Sequence, residues 1–220
     1  MKKRITQWSY SRLKTYRTCP LKAKLNYIDH IKEPASPQMD RGSGIHKEAE
    51  VFVLERQNKV PDNLMSFERE FLALRRLGKK VVPERQWAFT KEWVPCEWTA
   101  PECWVRMVLD ARYPMTKRKH KVIDYKTGKV YDDHKETMAL YALGTFIMHP
   151  EVEEVEVELW YIDQGVTTKD SFKRTEMDDI KGHFVYETRP LLCDEQFAPR
   201  PGYYCKYCFY SKNKNGNCVY

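Results

Sequence analysis

Apolar positions recur with a helical period near both ends of the chain and with a strand period through its middle. Ser9 can cap a helix whose apolar positions are Tyr10, Leu13 and Tyr16, and Pro20 interrupts it. Residues 21–28 read as helical again. Residues 33–40, with Pro34 and Pro37, read as a loop, after which Gly42-Ser43-Gly44 opens a helix running to about Arg56. Phe67, Phe71 and Leu74 predict a further helix that ends near Gly78. Residues 86–94, 104–113 and 121–125 are rich in β-branched and aromatic side chains and predict strands. Residues 132–148 read as a helix, and 155–162 alternate, with Val155, Val157, Leu159 and Tyr161 on one face of a strand. Residues 178–192 form a last helix with Ile180, Phe184 and Val185 apolar. Helices flanking a mixed sheet give an α/β or α+β fold, and residues 1–220 read as a single domain with no internal repeat.

Composition narrows the class. A chain of 220 residues with 42% hydrophobic and 13% aromatic residues can build a real core, which argues against disorder. The longest apolar run, residues 138–148, is well short of the roughly twenty residues that a membrane span needs, so no membrane association is expected. The basic start Met1-Lys2-Lys3-Arg4 is not followed by an apolar stretch of the kind an export signal carries, and a cytoplasmic location is expected. Lysine and arginine number 38 against 31 acidic residues, a net charge of +7 that suits contact with nucleic acid but also many ordinary proteins. The basic residues cluster, most densely at Lys117, Arg118 and Lys119, which are candidates for phosphate contact as well as for a solvated turn.

Seven cysteines without an export signal point to metal or cluster ligation rather than disulfides. Cys205 and Cys208 form a C-x2-C pair, Cys218 follows, and Cys19 lies near the other end. Thiolates in a tight turn can face one soft metal centre, and the three-plus-one spacing suits an iron–sulfur cluster at least as well as zinc. Joining these four would staple residues 1–30 to residues 195–220. Cys96, Cys103 and Cys193 read as buried free thiols.

The sharpest chemistry lies in Val122-Ile123-Asp124-Tyr125-Lys126-Thr127-Gly128. In a strand, Asp124 and Lys126 share a face and Tyr125 takes the other. Residues 114–118 read as a turn, and centring it on Lys117 sets Asp110 opposite Asp124 across a hairpin. Directly opposed carboxylates repel unless a positive charge sits between them, and a hard divalent ion such as magnesium or manganese is the natural guest. His46 lies one helical turn before Glu50, so both could add ligands, His46 first and Glu50 as a further one.

These segments together resemble a RecB-like nuclease of the PD-(D/E)XK superfamily, close to the iron–sulfur CRISPR-associated exonucleases and their phage-borne relatives. Ser9 to Pro20, Gly42 to His46, Asp110, Asp124 to Gly128, Tyr141 and the C-terminal cysteines stand in the family's order. Met107 stands where a glycine often precedes the first aspartate, and Thr137 where a glutamine usually lies four residues before the tyrosine. The resemblance implies a restriction-endonuclease-like core and metal-dependent hydrolysis of DNA, most readily as an exonuclease on single strands. The settings it suggests are DNA repair, recombination or spacer processing in a bacterial, archaeal or phage-infected cell, with a helicase or CRISPR partner. It implies Mg2+ or Mn2+ on His46, Asp110 and Asp124, catalysis by Lys126 with Asp110, Asp124 and Tyr141, and a [4Fe-4S] cluster on Cys19, Cys205, Cys208 and Cys218. The alternative is a non-catalytic DNA-binding or assembly subunit stapled by a cluster or by zinc. A P-loop motor is excluded, because Ile123 occupies the place of the first Walker glycine and Val130 follows Gly128-Lys129.

Overall fold

In the computed structural model, residues 4–54, 58–130, 134–214 and 216–220 are described. Helices α1 (Tyr10–Thr18), α2 (Pro20–Tyr27), α3 (Pro37–Val53) and α4 (Glu68–Arg76) precede a sheet of β1 (Val82–Phe89), β2 (Val105–Pro114), β3 (Lys119–Lys126), β4 (Glu154–Tyr161) and β5 (Val166–Lys173). Helix α5 (His134–Met148) carries the chain from β3 to β4, and α6 (Met177–Cys193) follows the sheet. The strands lie in sequence order. Only β3 and β4 run parallel, so the sheet is mixed and the α5 crossover is what a parallel neighbour demands. The α+β architecture with helices on a mixed central sheet matches the expectation from sequence.

The sheet divides two cores. On one face α1, α5 and α6 bring Leu13, Leu143, Phe146 and Phe184 against Val155, Val157 and Leu159. On the other, α3 and α4 bring Ile45, Phe52, Phe71 and Leu74 against Ile123, Tyr125 and Trp160. The alternation expected for 155–162 is the reason: β4 sends its odd-numbered residues to the first core while Trp160 and Ile162 join the second.

Two element boundaries and two cysteines need correction, and one strand goes unannounced. Helix α3 starts at Pro37, not at the glycines, because Ser36 accepts a hydrogen bond from the Met39 amide at 3.2 Å and Pro37 has its φ already set for the first turn. Strand β1 lies earlier than 86–94: Trp93 has φ of +62°, which ends an extended strand, and Phe89 is the last paired residue. Strand β5 has no alternation to announce it, since nearly all its side chains face water. Residues 132 and 133, expected at the start of the α5 helix, and Arg56, expected at the end of α3, lie outside the described residues. Of the three remaining cysteines only Cys103 is buried; Cys96 is half-buried and Cys193, at the open end of α6, is exposed.

Helix α5 packs closely on β2 because it has no side chain at Gly144. A Cβ there would lie 2.5 Å from Met107 Sδ and 3.0 Å from the Trp87 ring. Met107, the residue where the related pattern often has glycine, therefore fills the notch that Gly144 leaves. Gly144→Ala should cost about 1–3 kcal/mol in urea unfolding, and adding Met107→Val should recover part of that loss by freeing the notch.

Beneath the end of α5, Arg112 Nη1 donates to His120 Nδ1 at 3.0 Å, and the His149 ring lies 4.9 Å away. A guanidinium only donates, so His120 must be neutral on that nitrogen. Burial first, then the charges of Arg112 and His149, push its pKa down to about 4. The unfolded chain takes up this proton near pH 6.5 whereas the folded chain refuses it until about 4, so stability is present above the first value and drains away as pH falls towards the second. Urea midpoints should therefore fall between about pH 7 and pH 5, and His120→Gln should flatten that slope by up to one proton.

Candidate active site

The hairpin of β2 and β3 pairs Ala111 with Ile123 and Pro114 with His120, the register expected from a turn centred on Lys117. Past Ala111 the backbone ladder stops, and the Tyr125 amide instead donates to Asp110 Oδ2 at 2.6 Å. Asp110 and Asp124 are 8% and 3% exposed, so two carboxylates share one buried end of the hairpin. Each oxygen is met from a different direction. His46 Nδ1, on α3, lies 2.8 Å from Asp110 Oδ1. The Tyr141 hydroxyl, on α5, donates to Asp124 Oδ1 at 2.6 Å. Lys126 Nζ stands 2.6 Å from Asp124 Oδ2, but off hydrogen-bond geometry, leaving that buried oxygen without a hydrogen bond.

Local sequence explains the approach of these elements. Gly42 lets α3 pass close to the chain leaving β3, where a Cβ would sit 3.2 Å from Thr127 Oγ1. Gly128 takes φ of +94°, a left-handed turn that ends the strand immediately after Lys126. Tyr125 points to the opposite face and packs on Phe71 and Trp160. Gly42, Ser43, His46, Val108, Asp110, Asp124 and Tyr141 enclose an open cleft of about 410 Å³.

The electrostatics are those of crowded charge. Burial, and then the neighbouring Asp124, raise the pKa of Asp110. Burial is the largest influence on His46 and disfavours its charged form, but the hydrogen bond to Asp110 and the charges of Asp110 and Asp124 together outweigh it, and its pKa is raised. Lys126 is likewise penalised by burial, and the charge and contact of Asp124 together with the charge of Asp110 more than compensate, so the amine is held as an ammonium. Burial and then Asp124 raise the phenol of Tyr141 far above its ordinary range, so it stays a donor.

The structure thus brings together His46, Asp110, Asp124, Lys126 and Tyr141. It does not bring in Glu50, whose carboxylate pairs with Lys47. Lys119 pairs with Glu154 at 2.8 Å and Arg118 with Glu153 at 3.5 Å, at the end of β3 away from the cleft; Lys117 sits on the same turn. Among the described residues no group of three or more His, Cys, Asp or Glu side chains is arranged to hold a metal ion. The donor chemistry nevertheless fits a hard cation at the cleft: two buried carboxylates, one of them with an oxygen that accepts no hydrogen bond. Here Lys126 supplies a positive charge and His46 a ring nitrogen against Asp110.

The expected cysteine staple is not drawn together either. Cys19, Cys205, Cys208 and Cys218 line one cavity of about 180 Å³ between α2 and the C-terminal segment. Cys19 Sγ accepts the Arg200 amide at 3.4 Å and Cys205 Sγ the Gly202 amide at 3.3 Å, contacts that a ligating sulfur can also keep. The chain ends are joined instead by hydrogen bonds, from Tyr210 to the Ile31 carbonyl at 2.5 Å and from Tyr16 to Asp194 at 2.8 Å.

Sequence reasoning missed a second concavity beside the cleft, lined by Arg12, Arg106, Trp98 and Lys126. The signal was present, since Arg106 lies in strand alternation with Val108 and Asp110.

Comparison with curated proteins finds no match. Among solved structures, the fold is similar to that of a provisionally assigned exonuclease from Eubacterium rectale, with a TM-score of 0.51 and 11% identity over 98% of this chain and 89% of that one. SSO0001 aligns with a TM-score of 0.46 and 15% identity over 94% of this chain and 85% of that one. At such identities the first likeness speaks for the fold alone. The family model described as the PD-(D/E)XK nuclease superfamily matches residues 7–212, nearly the whole chain, and the protein belongs to that superfamily.

Proposed function

We propose that the protein is a metal-dependent deoxyribonuclease that hydrolyses phosphodiester bonds, acting as an exonuclease on single-stranded DNA in repair, recombination or spacer processing. The observation that carries this reading is the buried pair Asp110 and Asp124, with Lys126 at 2.6 Å from the second carboxylate, in a chain of this superfamily. Two like charges are costly to bury, and a fold that keeps them beside an open cleft has a use for them.

Asp110 and Asp124 would hold Mg2+ or Mn2+, with His46 as a third ligand once it gives up its bond to Asp110. When bound, such a cation neutralises charge on the scissile phosphate and lowers the pKa of water near it. Lys126, an ammonium anchored by Asp124, would orient the attacking water and stabilise negative charge developing on the phosphate oxygens. Tyr141 fixes the rotamer of Asp124 through its 2.6 Å hydrogen bond and so positions the pair. Thr137, buried on the same helix, cannot supply the amide of the usual glutamine. Soft thiolates suit iron–sulfur or zinc, and the common cavity of Cys19, Cys205, Cys208 and Cys218 supports a [4Fe-4S] cluster there as the structural cofactor. Lys117, Arg118 and Lys119 would add distant backbone contacts. A soluble cytoplasmic enzyme working beside a helicase or CRISPR partner is the setting this reading favours. The described helices include none long and apolar enough to cross a membrane.

End-labelled single-stranded oligonucleotides should shorten with Mn2+ and stay intact with EDTA. Asp124→Ala or Lys126→Ala should reduce that cleavage by at least about a thousandfold while far-UV dichroism is unchanged. Cleavage at the parental rate by either variant would refute the assignment.

Removing one of the two buried charges should also be felt without any substrate. Asp110→Asn keeps the shape and an acceptor for the Tyr125 amide, yet ends the repulsion with Asp124. In metal-free buffer its urea midpoint should exceed that of the parent, by on the order of 1 kcal/mol, while Mn2+ should stabilise the parent more than the variant.

A further inference from the structure

A groove of about 470 Å³ adjoins the cleft and shares Val108 and Tyr141 with it. Its walls are the first turn of α1, the middle of β2, Trp98 and one face of α5. Four cations line it, Arg12, Lys14, Arg106 and Lys126, and among the described residues no aspartate or glutamate does. In a chain with 31 acidic residues this is a local imbalance. By contrast, the half-buried Arg17 meets Glu136 and Glu187, and the exposed Arg41 meets Asp163, although Arg174, at the end of α5, also donates to backbone carbonyls.

Among the described residues, Arg12 and Arg106 have no carboxylate partner. Arg12 donates to the Gln7 carbonyl at 3.0 Å and lies over the Tyr27 ring. Arg106 stacks on Trp98, 5.1 Å from the ring centroid, and its buried Nε has no hydrogen-bond partner. The two arginines also feel each other: burial first, and then Arg106 among the nearby charges, lowers the pKa of Arg12. Both are fixed by backbone. The Trp8 amide donates to the Trp104 carbonyl at 2.8 Å and the Arg106 amide to the Trp8 carbonyl at 3.0 Å, which docks the residues before α1 alongside β2. Two guanidiniums lining the same groove on docked backbone, with no carboxylate among its described lining, form a receptor for an anion with several oxygens.

We propose that Arg12 and Arg106 together grip one backbone phosphate of a single DNA strand, and that this groove seats the nucleotide next to the scissile bond, with Trp98 offering a flat face to its base. This rests on the nuclease reading and names the contacts by which such an enzyme would hold its substrate. A rigid wall set with stacked side chains suits one strand, whose backbone can bend into the groove and whose bases are free to stack.

Fluorescence anisotropy of a fluorescein-labelled dT oligonucleotide of about 12 nucleotides, in EDTA and over a salt series, tests it. Arg12→Gln and Arg106→Gln should each weaken binding about tenfold and make the log Kd against log salt slope shallower by about 0.7. Because both act on one phosphate, the double variant should lose little more than the worse single one. Arg106→Lys should keep most of the salt slope, which a purely structural role would not require. Parental affinity and slope in both glutamine variants, with parental urea midpoints, would overturn the proposal even if the protein cleaves DNA. Preference for a blunt duplex over the single strand, with the same arginine dependence, would overturn the single-strand assignment. Failure of the parent to cleave with Mn2+ would instead sink the nuclease reading, and the arginine-dependent slope would then stand as strand binding alone.

Discussion

Two carboxylates buried at one end of a hairpin set the terms for the rest of the molecule. Asp110 and Asp124 cannot both remain charged there without compensation, and neither β2 nor β3 alone can supply it. The compensation comes partly from β3 itself, through the Tyr125 amide and Lys126, and partly from distant parts of the chain, His46 from α3 and the Tyr141 hydroxyl from α5. Helix α5 must therefore lie across one face of the sheet and α3 across the other. The βαβ crossover from β3 to β4 and the closeness of Gly42 to Thr127 are the means by which the backbone meets that demand.

The net charge of +7 conceals how charge is arranged. On β3 and β4 the excess is cancelled side by side, with Lys119 against Glu154 and Glu156, and Lys121 against Glu156 and Glu158. Next to the cleft Arg12 and Arg106 line a groove whose described lining holds no carboxylate. An anionic substrate would thus meet a neutral ladder over much of the sheet and a positive wall only beside the buried acids. Local imbalance, not total charge, is the informative quantity in this protein.

What could be read from the chain was what local periodicity and turn chemistry encode. The alternation of 155–162, the Ser9 cap and the turn after Pro114 each carried enough information to set an element or a register. The hairpin register matters most, because the turn alone places Asp110 beside Asp124. The illegible parts had a different cause. Strand β5 has polar side chains on both faces, so no period marks it. Helix α3 begins in a segment whose two prolines suggest a loop, and only the pairing of Ser36 with the Met39 amide marks it as a start. The basic groove is assembled from residues almost a hundred positions apart, which no window along the sequence joins. The four cysteines share a cavity, as their spacing suggested, and two of them, Cys19 and Cys205, accept backbone amides there.

The outermost strands of the sheet also bear on how copies of the protein behave towards one another. A free strand margin invites another chain to add on by backbone pairing. Strand β5 meets that hazard with Lys169, Asp170 and Lys173 along its exposed length, and β1 with Pro83, which has no amide to offer a newcomer. Neither margin is a good template for further growth. The polarity of β5 that hid it from sequence pattern thus lets an open five-stranded sheet persist at high concentration without polymerising.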